Sequence, residues 1–115
     1  MTPVHGMDAK EIKIFNHVQN ILALAAYVED NELGINPVSY LRRPDKQAKE
    51  RRDAAGMEWV LPQSVNEPSL AELFRVYWKS NRADIDATDL TSAGACQRLL
   101  EKVRGVRSEV PDTQT

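Results

Sequence analysis

Residues 14–28, IFNHVQNILALAAYV, carry the clearest helical pattern of this 115-residue chain. Apolar residues recur there at steps of three and four, which places them on one broad helix face. They are Ile14, Phe15, Val18, Ile21, Leu22, Ala25 and Val28. Asp8 followed by Glu11 fits a capping box, and Gly34 provides a natural stop. The pattern predicts a central core helix over about 8–31, with Lys13, Asn16, Gln19, Asn20 and Tyr27 on its polar side.

Prolines and glycines punctuate the region that follows. We expect a short helical turn over 37–43 with Tyr40 and Leu41 on its buried side, because each proline disfavours helix in the residue before it. Pro44 then fits the first position of a short helix that Gly56 ends. Residues 57–62, MEWVLP, lack a second strand to pair with, which predicts an extended linker that places Trp59 in the core.

The second half of the chain predicts two more helices. One begins near Pro68, with Ser69 and Glu72 in its first turn, and carries Leu70, Leu73, Phe74 and Tyr77 on its apolar face. Residues 80–89, SNRADIDATD, are typical of a loop. A last helix is expected over 89–104. The sequence therefore predicts an all-α domain, a single bundle of four to five helices over 8–105. We expect residues 1–7 to be loose and residues 106–115 to form a disordered tail.

Composition narrows the class of protein. With 42% hydrophobic and 28% charged residues the chain is an ordinary globular domain, and a net charge of −2 argues against a generally basic nucleic-acid binder. One cysteine and no visible signal peptide favour a cytoplasmic protein. The longest apolar run, residues 21–28, is too short to span a bilayer, so we expect no membrane partner.

The most charged stretch is LRRPDKQAKERRDAAG, residues 41–56. Six basic and three acidic residues give it a local charge of +3. On a helical wheel the acids fall between the bases, where they would repel a line of phosphates. We therefore expect residues 44–56 to be an exposed or mobile charged segment, with Asp45 and Lys49 as an i,i+4 pair. The alternative is nucleic-acid binding through Arg42, Arg43, Lys46, Lys49, Arg51 and Arg52.

Other chemically active residues favour structural roles. His5 and His17 have no partners at a metal-ligand or catalytic spacing, and Cys96 lies on an apolar helix face as a buried thiol would. The carboxylates Asp84, Asp86 and Asp89 fit helix capping by Asp86, Thr88 or Asp89 better than a cation site. We expect no catalytic activity, cofactor or metal.

The aromatic residues give the main indication of function. Tyr77 and Trp78 are about 100° apart on a helix, so we expect one of them to be exposed beside cationic residues as an interface anchor. Tyr27 projects from the polar side of the first helix. The predicted partner-binding residues are Tyr27, Arg75, Tyr77, Trp78, Lys79 and Arg82. They predict a non-enzymatic regulator, adaptor or inhibitor that binds another protein, such as an accessory or anti-defence protein of a phage or mobile element. Homo-oligomerisation stays open.

Overall fold

The computed structural model of the chain describes residues 8–106, and within this range the fold is the mainly α-helical bundle that the sequence predicts. It contains six helices and one two-stranded antiparallel sheet. In chain order these are α1 (Ala9–Asp30), α2 (Val38–Arg42), α3 (Lys46–Val60), β1 (Pro62–Ser64), β2 (Glu67–Ser69), α4 (Leu70–Ser80), α5 (Arg82–Asp86) and α6 (Ala93–Gly105). None of these helices combines the length and the hydrophobicity that crossing a bilayer requires.

Helix α1 is the central element, as predicted. The Asp8 carboxylate caps it by accepting a hydrogen bond from the Glu11 amide at 2.8 Å. The buried surface of α1 is wider than the predicted stripe, because α3 and α6 both pack against it. Gln19, which we placed on the polar side, is therefore buried. Its side chain accepts a hydrogen bond from Nε1 of Trp59 at 3.4 Å, which satisfies the indole inside the core.

Helix α3 corrects two predictions. It begins at Lys46, with the Asp45 carboxylate accepting from the Ala48 amide at 3.1 Å, so Pro44 precedes the cap. It also continues through Gly56 to Val60, which replaces the predicted linker. A glycine inside a helix costs about 1 kcal/mol relative to alanine, and burial of Trp59 outweighs that cost. Trp59 lies in the core as predicted.

Helix α3 is also more closely packed than we expected. Ala48, Ala55 and Trp59 form a buried line along its length, and the helix lies against α1. The two alanines are small, so the backbones of α1 and α3 can approach each other. Helix α3 therefore covers one side of the core although most of its buried side chains are small.

A short β-hairpin joins α3 to α4 and was not predicted. Pro62 pairs with Ser69 and Ser64 with Glu67, so Val65 and Asn66 form the turn. Each strand has three residues, which is too short to show a period. The hairpin ends directly at the N-cap of α4, where Ser69 and Glu72, both expected near the first turn, form a capping box.

The last part of the described chain differs in detail from the prediction. The expected loop over 80–89 contains the five-residue helix α5, and α6 begins four residues later than predicted. Ser92 caps α6 by accepting from the Ala95 amide at 3.3 Å, whereas Asp89 bonds to Thr91. Val106, expected in the tail, is buried. The predictions for residues 1–7 and 107–115 concern residues outside the described range.

Candidate functional site

Tyr77 and Trp78 do not form an exposed anchor, which corrects the prediction that one of them is exposed. Both side chains are only 5% exposed. The Trp78 ring packs against Phe15 at a centroid distance of 5.2 Å and against Phe74 at 5.9 Å. The Tyr77 hydroxyl donates a hydrogen bond to the Asp84 carboxylate. Because α3, α5 and α6 all pack against α4, two neighbouring aromatics can both be covered.

The three cationic residues predicted to surround that anchor differ from one another in burial and in contacts. Arg82 lies over the Trp78 ring and pairs with Glu11 at 3.0 Å. Arg75 is half-buried, and Lys79 is exposed near the end of α4. The predicted combination of an exposed aromatic side chain with a cationic rim is therefore not present on α4.

Exposed apolar side chains lie instead at the end of α3 and in the turn of the hairpin. We call this group the apolar end, and it consists of Met57, Val60, Leu61 and Val65, which are 65%, 50%, 52% and 98% exposed. Met57 precedes Val60 and Leu61 by three and four residues, so the three side chains are neighbours at the end of α3. Val65 occupies the turn of the hairpin.

The sequence contained a signal for this surface that we did not use. If the helical period is continued through Gly56, Met57 and Leu61 each fall about 160° from Trp59. Burial of Trp59 therefore turns both side chains towards solvent. We did not see this relationship because we predicted a linker over 57–62, and a linker does not define the direction in which each side chain points.

A groove of about 340 Å³ adjoins the apolar end. Leu61 and Pro62 contribute to it from the apolar end and the hairpin, and Tyr27 contributes from α1. Its other lining residues are Ala23, Ala26, Asp30, Ala55, Glu58, Trp59, Gln63, Leu70 and Arg104. Tyr27 is half-buried, and its hydroxyl has no hydrogen-bond partner among residues 8–106. Of the predicted partner-binding residues, Tyr27 is thus the one that the structure places at a concave surface.

The groove has a negative electrostatic potential. Asp30, Glu58 and Arg104 line it, and Arg104 pairs with Asp30 at 3.5 Å and with Glu29, which lies outside the lining. The two carboxylates and one guanidinium of the lining give a formal charge of −1, and Glu29 adds a further carboxylate on the far side of Arg104. Helices α1 and α3 both end there without a basic residue in the last turn, so their C-terminal dipoles add negative potential. The groove therefore favours a cationic group.

Most of the predicted nucleic-acid contacts are engaged within the protein. Arg43 pairs with Asp45 at 2.9 Å, and this hydrogen-bonded pair lowers the pKa of the Asp45 carboxyl. Asp45 also caps α3, so it does not form the predicted pair with Lys49. Lys49 instead pairs with Asp53 at 3.1 Å.

Two further arginines of the basic stretch bind Tyr40. The Arg51 side chain donates to the Tyr40 hydroxyl, and Arg52 donates to the backbone carbonyls of Tyr40 and Arg43. These contacts join α3 to α2. Arg42 and Lys46 are exposed and have no ion-pair partner among the described residues. The six basic residues therefore do not form one continuous cationic face.

The remaining titratable residues are dispersed. The Cys96 thiol is buried as predicted and donates to the Leu90 carbonyl at 3.3 Å, and burial raises its pKa. His17 is exposed beside a shallow cavity that includes Ile21 and Leu41, whereas His5 lies outside the described residues.

The three aspartates of the DIDATD stretch have different partners. Asp84 binds Tyr77 and Lys102, Asp86 pairs with Arg82, and Asp89 accepts from Thr91. The next helix is capped by Ser92, so capping by Asp86, Thr88 or Asp89 is wrong. Among residues 8–106 no three metal-ligating side chains are grouped to hold an ion.

Comparisons with models of protein families, with curated proteins and with solved structures found no match.

Proposed function

We propose that this protein acts by binding another protein, as a non-enzymatic regulator, adaptor or inhibitor, and that the apolar end and the adjoining groove form the binding surface. The observation that carries the proposal is the exposure of Met57, Val60, Leu61 and Val65 within one short stretch. Scattered exposed apolar side chains are normal, but a cluster of them is typical of an interaction site.

The energetics favour this surface over α4. Full burial of one such aliphatic side chain contributes about 1.5–3 kcal/mol, so several of them can supply the central part of an interface. Tyr27 adds a residue type that is common at binding hot spots, and the groove beside it can admit a partner side chain. Steric occlusion of the partner's own surface would be the mechanism, without any bond made or broken.

Affinity purification from the native host, followed by binding measurements with the purified partner, tests the proposal. The variant Met57→Ser with Leu61→Ser should lose at least tenfold in affinity, because both side chains would leave the interface. Val76→Ser is a matched control, since Val76 is an exposed aliphatic residue on α4. It should change the affinity by less than about twofold. Equal affinity for the partner in the wild type and the double variant would contradict the proposed surface.

A further inference from the structure

The geometry of the groove points to the chemistry of its occupant. We infer that it binds a lysine or arginine side chain of a partner segment whose neighbouring apolar residue packs on the apolar end. This inference rests on the proposed function and adds the kind of segment that the partner presents.

The size of the groove suits a side chain. Residues of α1 and α3 line it together with Pro62, Gln63, Leu70 and Arg104, and the small side chains of Ala23, Ala26 and Ala55 take up little of its space. A volume of about 340 Å³ is at the lower end of the range for ligand pockets in proteins. A folded domain cannot enter a space of this size, whereas one long side chain with a flanking group can.

The charges of the groove select a cation. Glu58 is exposed, and its carboxylate has no ion-pair partner among the described residues. Asp30 shares Arg104 with Glu29, so one guanidinium serves two carboxylates. The C-terminal dipoles of α1 and α3 add to this potential. An anionic group would be repelled by Glu58, whereas a cationic group could pair with it.

The aromatic residues of the groove also suit a cation on an aliphatic stem. Tyr27 lines the groove and is half-buried, and a lysine or arginine that contacts its ring can lay its own methylene groups along apolar surface. Leu61 and Pro62 lie at the same groove, and Leu61 also belongs to the apolar end. A cationic residue next to an apolar one can therefore contact both parts of the surface at once.

Selection from a random peptide library displayed on phage, with the full chain immobilised, tests the inference. Selected peptides should be enriched in lysine or arginine next to an aliphatic or aromatic residue. Synthetic copies should bind with an affinity that Glu58→Lys lowers at least tenfold and that falls with salt. Asp53→Lys makes the same charge change on an exposed site of α3 and should lower the affinity less than threefold. Thermal melts check that both variants are folded, and Glu58→Gln provides a milder second variant.

Several outcomes would overturn the inference. Peptides without a cation, or equal effects of Glu58→Lys and Asp53→Lys, would show that the groove does not select positive charge. Spermidine that binds as tightly as the peptides in an NMR titration would assign the groove to free amines. Concentration-dependent self-association, weakened by Glu58→Lys, would assign it to a second copy of the chain.

The failure of this inference is distinguishable from failure of the proposed function. If peptide binding needs Met57 and Leu61 but not Glu58, the apolar end is a binding surface without cation selection. If neither the peptides nor the purified partner respond to Met57→Ser with Leu61→Ser, both proposals are wrong.

Discussion

The Arg82 guanidinium carbon lies 4.4 Å from the centroid of the Trp78 ring. The same guanidinium pairs with Glu11 at 3.0 Å and with Asp86 at 3.2 Å. Arg82 thus connects the first turn of α1 to α5 and covers an aromatic ring of the core. Trp78, a predicted interface anchor, and Arg82, a predicted rim residue, therefore contact each other inside the protein. Neither side chain is free to anchor a partner.

Removing this cover should destabilise the fold. We expect Arg82→Ala to lower the free energy of unfolding by about 1–2 kcal/mol, since it loses a cation–π contact and two partly screened ion pairs. Arg82→Lys should give a smaller loss, because a lysine keeps the charge without the planar fork. Urea denaturation measures both, with Lys79→Ala as the exposed control at less than about 0.5 kcal/mol. Equal values for Arg82→Ala and Lys79→Ala would contradict the role assigned to Arg82.

The core position of α1 gives a larger effect. Leu22 is completely buried between the helices that pack on α1. Leu22→Ala should therefore cost about 2–5 kcal/mol, the range for a deleted core leucine. A shift below about 1 kcal/mol in a denaturant melt would mean that the site collapses around the smaller side chain far better than a packed core usually does.

The helices that could be predicted from sequence are those that have both a capping residue at the start and a clear apolar stripe. Helix α1 combines a cap at Asp8 with a long apolar period, and α4 combines a capping box at Ser69 with a compact aromatic stripe. In each case the cap defines the start and the stripe defines the buried face. Both signals lie within a few residues of the feature that they determine.

The candidate site depended on tertiary contacts and was missed. The burial of Trp59 was predicted, but the continuation of α3 through Gly56 to Val60 was not, because a glycine is a typical helix end. Burial of both Tyr77 and Trp78 likewise depends on Arg82 and on helices distant in sequence. Tyr27 is half-buried on α1, and the groove that it lines lies where α1 meets the end of α3, which no local pattern reports.

Arginines and lysines of the basic stretch should differ in their contribution to stability. Arg52 donates to two backbone carbonyls at the end of α2, whereas Lys49 makes an exposed pair with Asp53. We expect Arg52→Ala to cost about 1–2 kcal/mol, as for hydrogen bonds from a charged group, and Lys49→Ala less than about 0.5 kcal/mol. Chemical denaturation compares the two. The same small effect for both variants would show that α2 does not depend on Arg52.

The Asp84 carboxylate should make stability depend on pH in the acid range. Its hydrogen bond from Tyr77, and then that from Lys102, lower its pKa below the ordinary value of 3.8. The stabilisation is therefore complete above that value and is lost as the pH falls through the lowered pKa. The difference in unfolding free energy between wild type and Asp84→Asn should be constant near neutral pH and should diminish below about pH 4.

An NMR titration of the Asp84 carboxyl carbon checks the cause of this behaviour. Tyr77→Phe removes the hydroxyl donor, so the pKa of Asp84 should rise in that variant. A pKa that does not change would show that the Tyr77 hydroxyl does not act on this carboxylate.

Charge reversal at the exposed cations tests the nucleic-acid alternative. Arg42 and Lys46 are the members of the basic stretch without an ion-pair partner among the described residues, so Arg42→Glu with Lys46→Glu changes the most accessible positive charge. A phosphate-binding surface would lose affinity steeply, because each contact with a phosphate releases counterions.

We expect wild-type protein to bind DNA or RNA with a Kd of about 10⁻⁴ M or weaker near 0.15 M salt, at the loose end of non-specific binding. The Kd of the variant should differ by less than about twofold. Fluorescence anisotropy with labelled duplex and single-stranded probes measures both. Submicromolar binding by the wild type that the double variant abolishes would contradict this expectation and favour nucleic acid over protein as the partner.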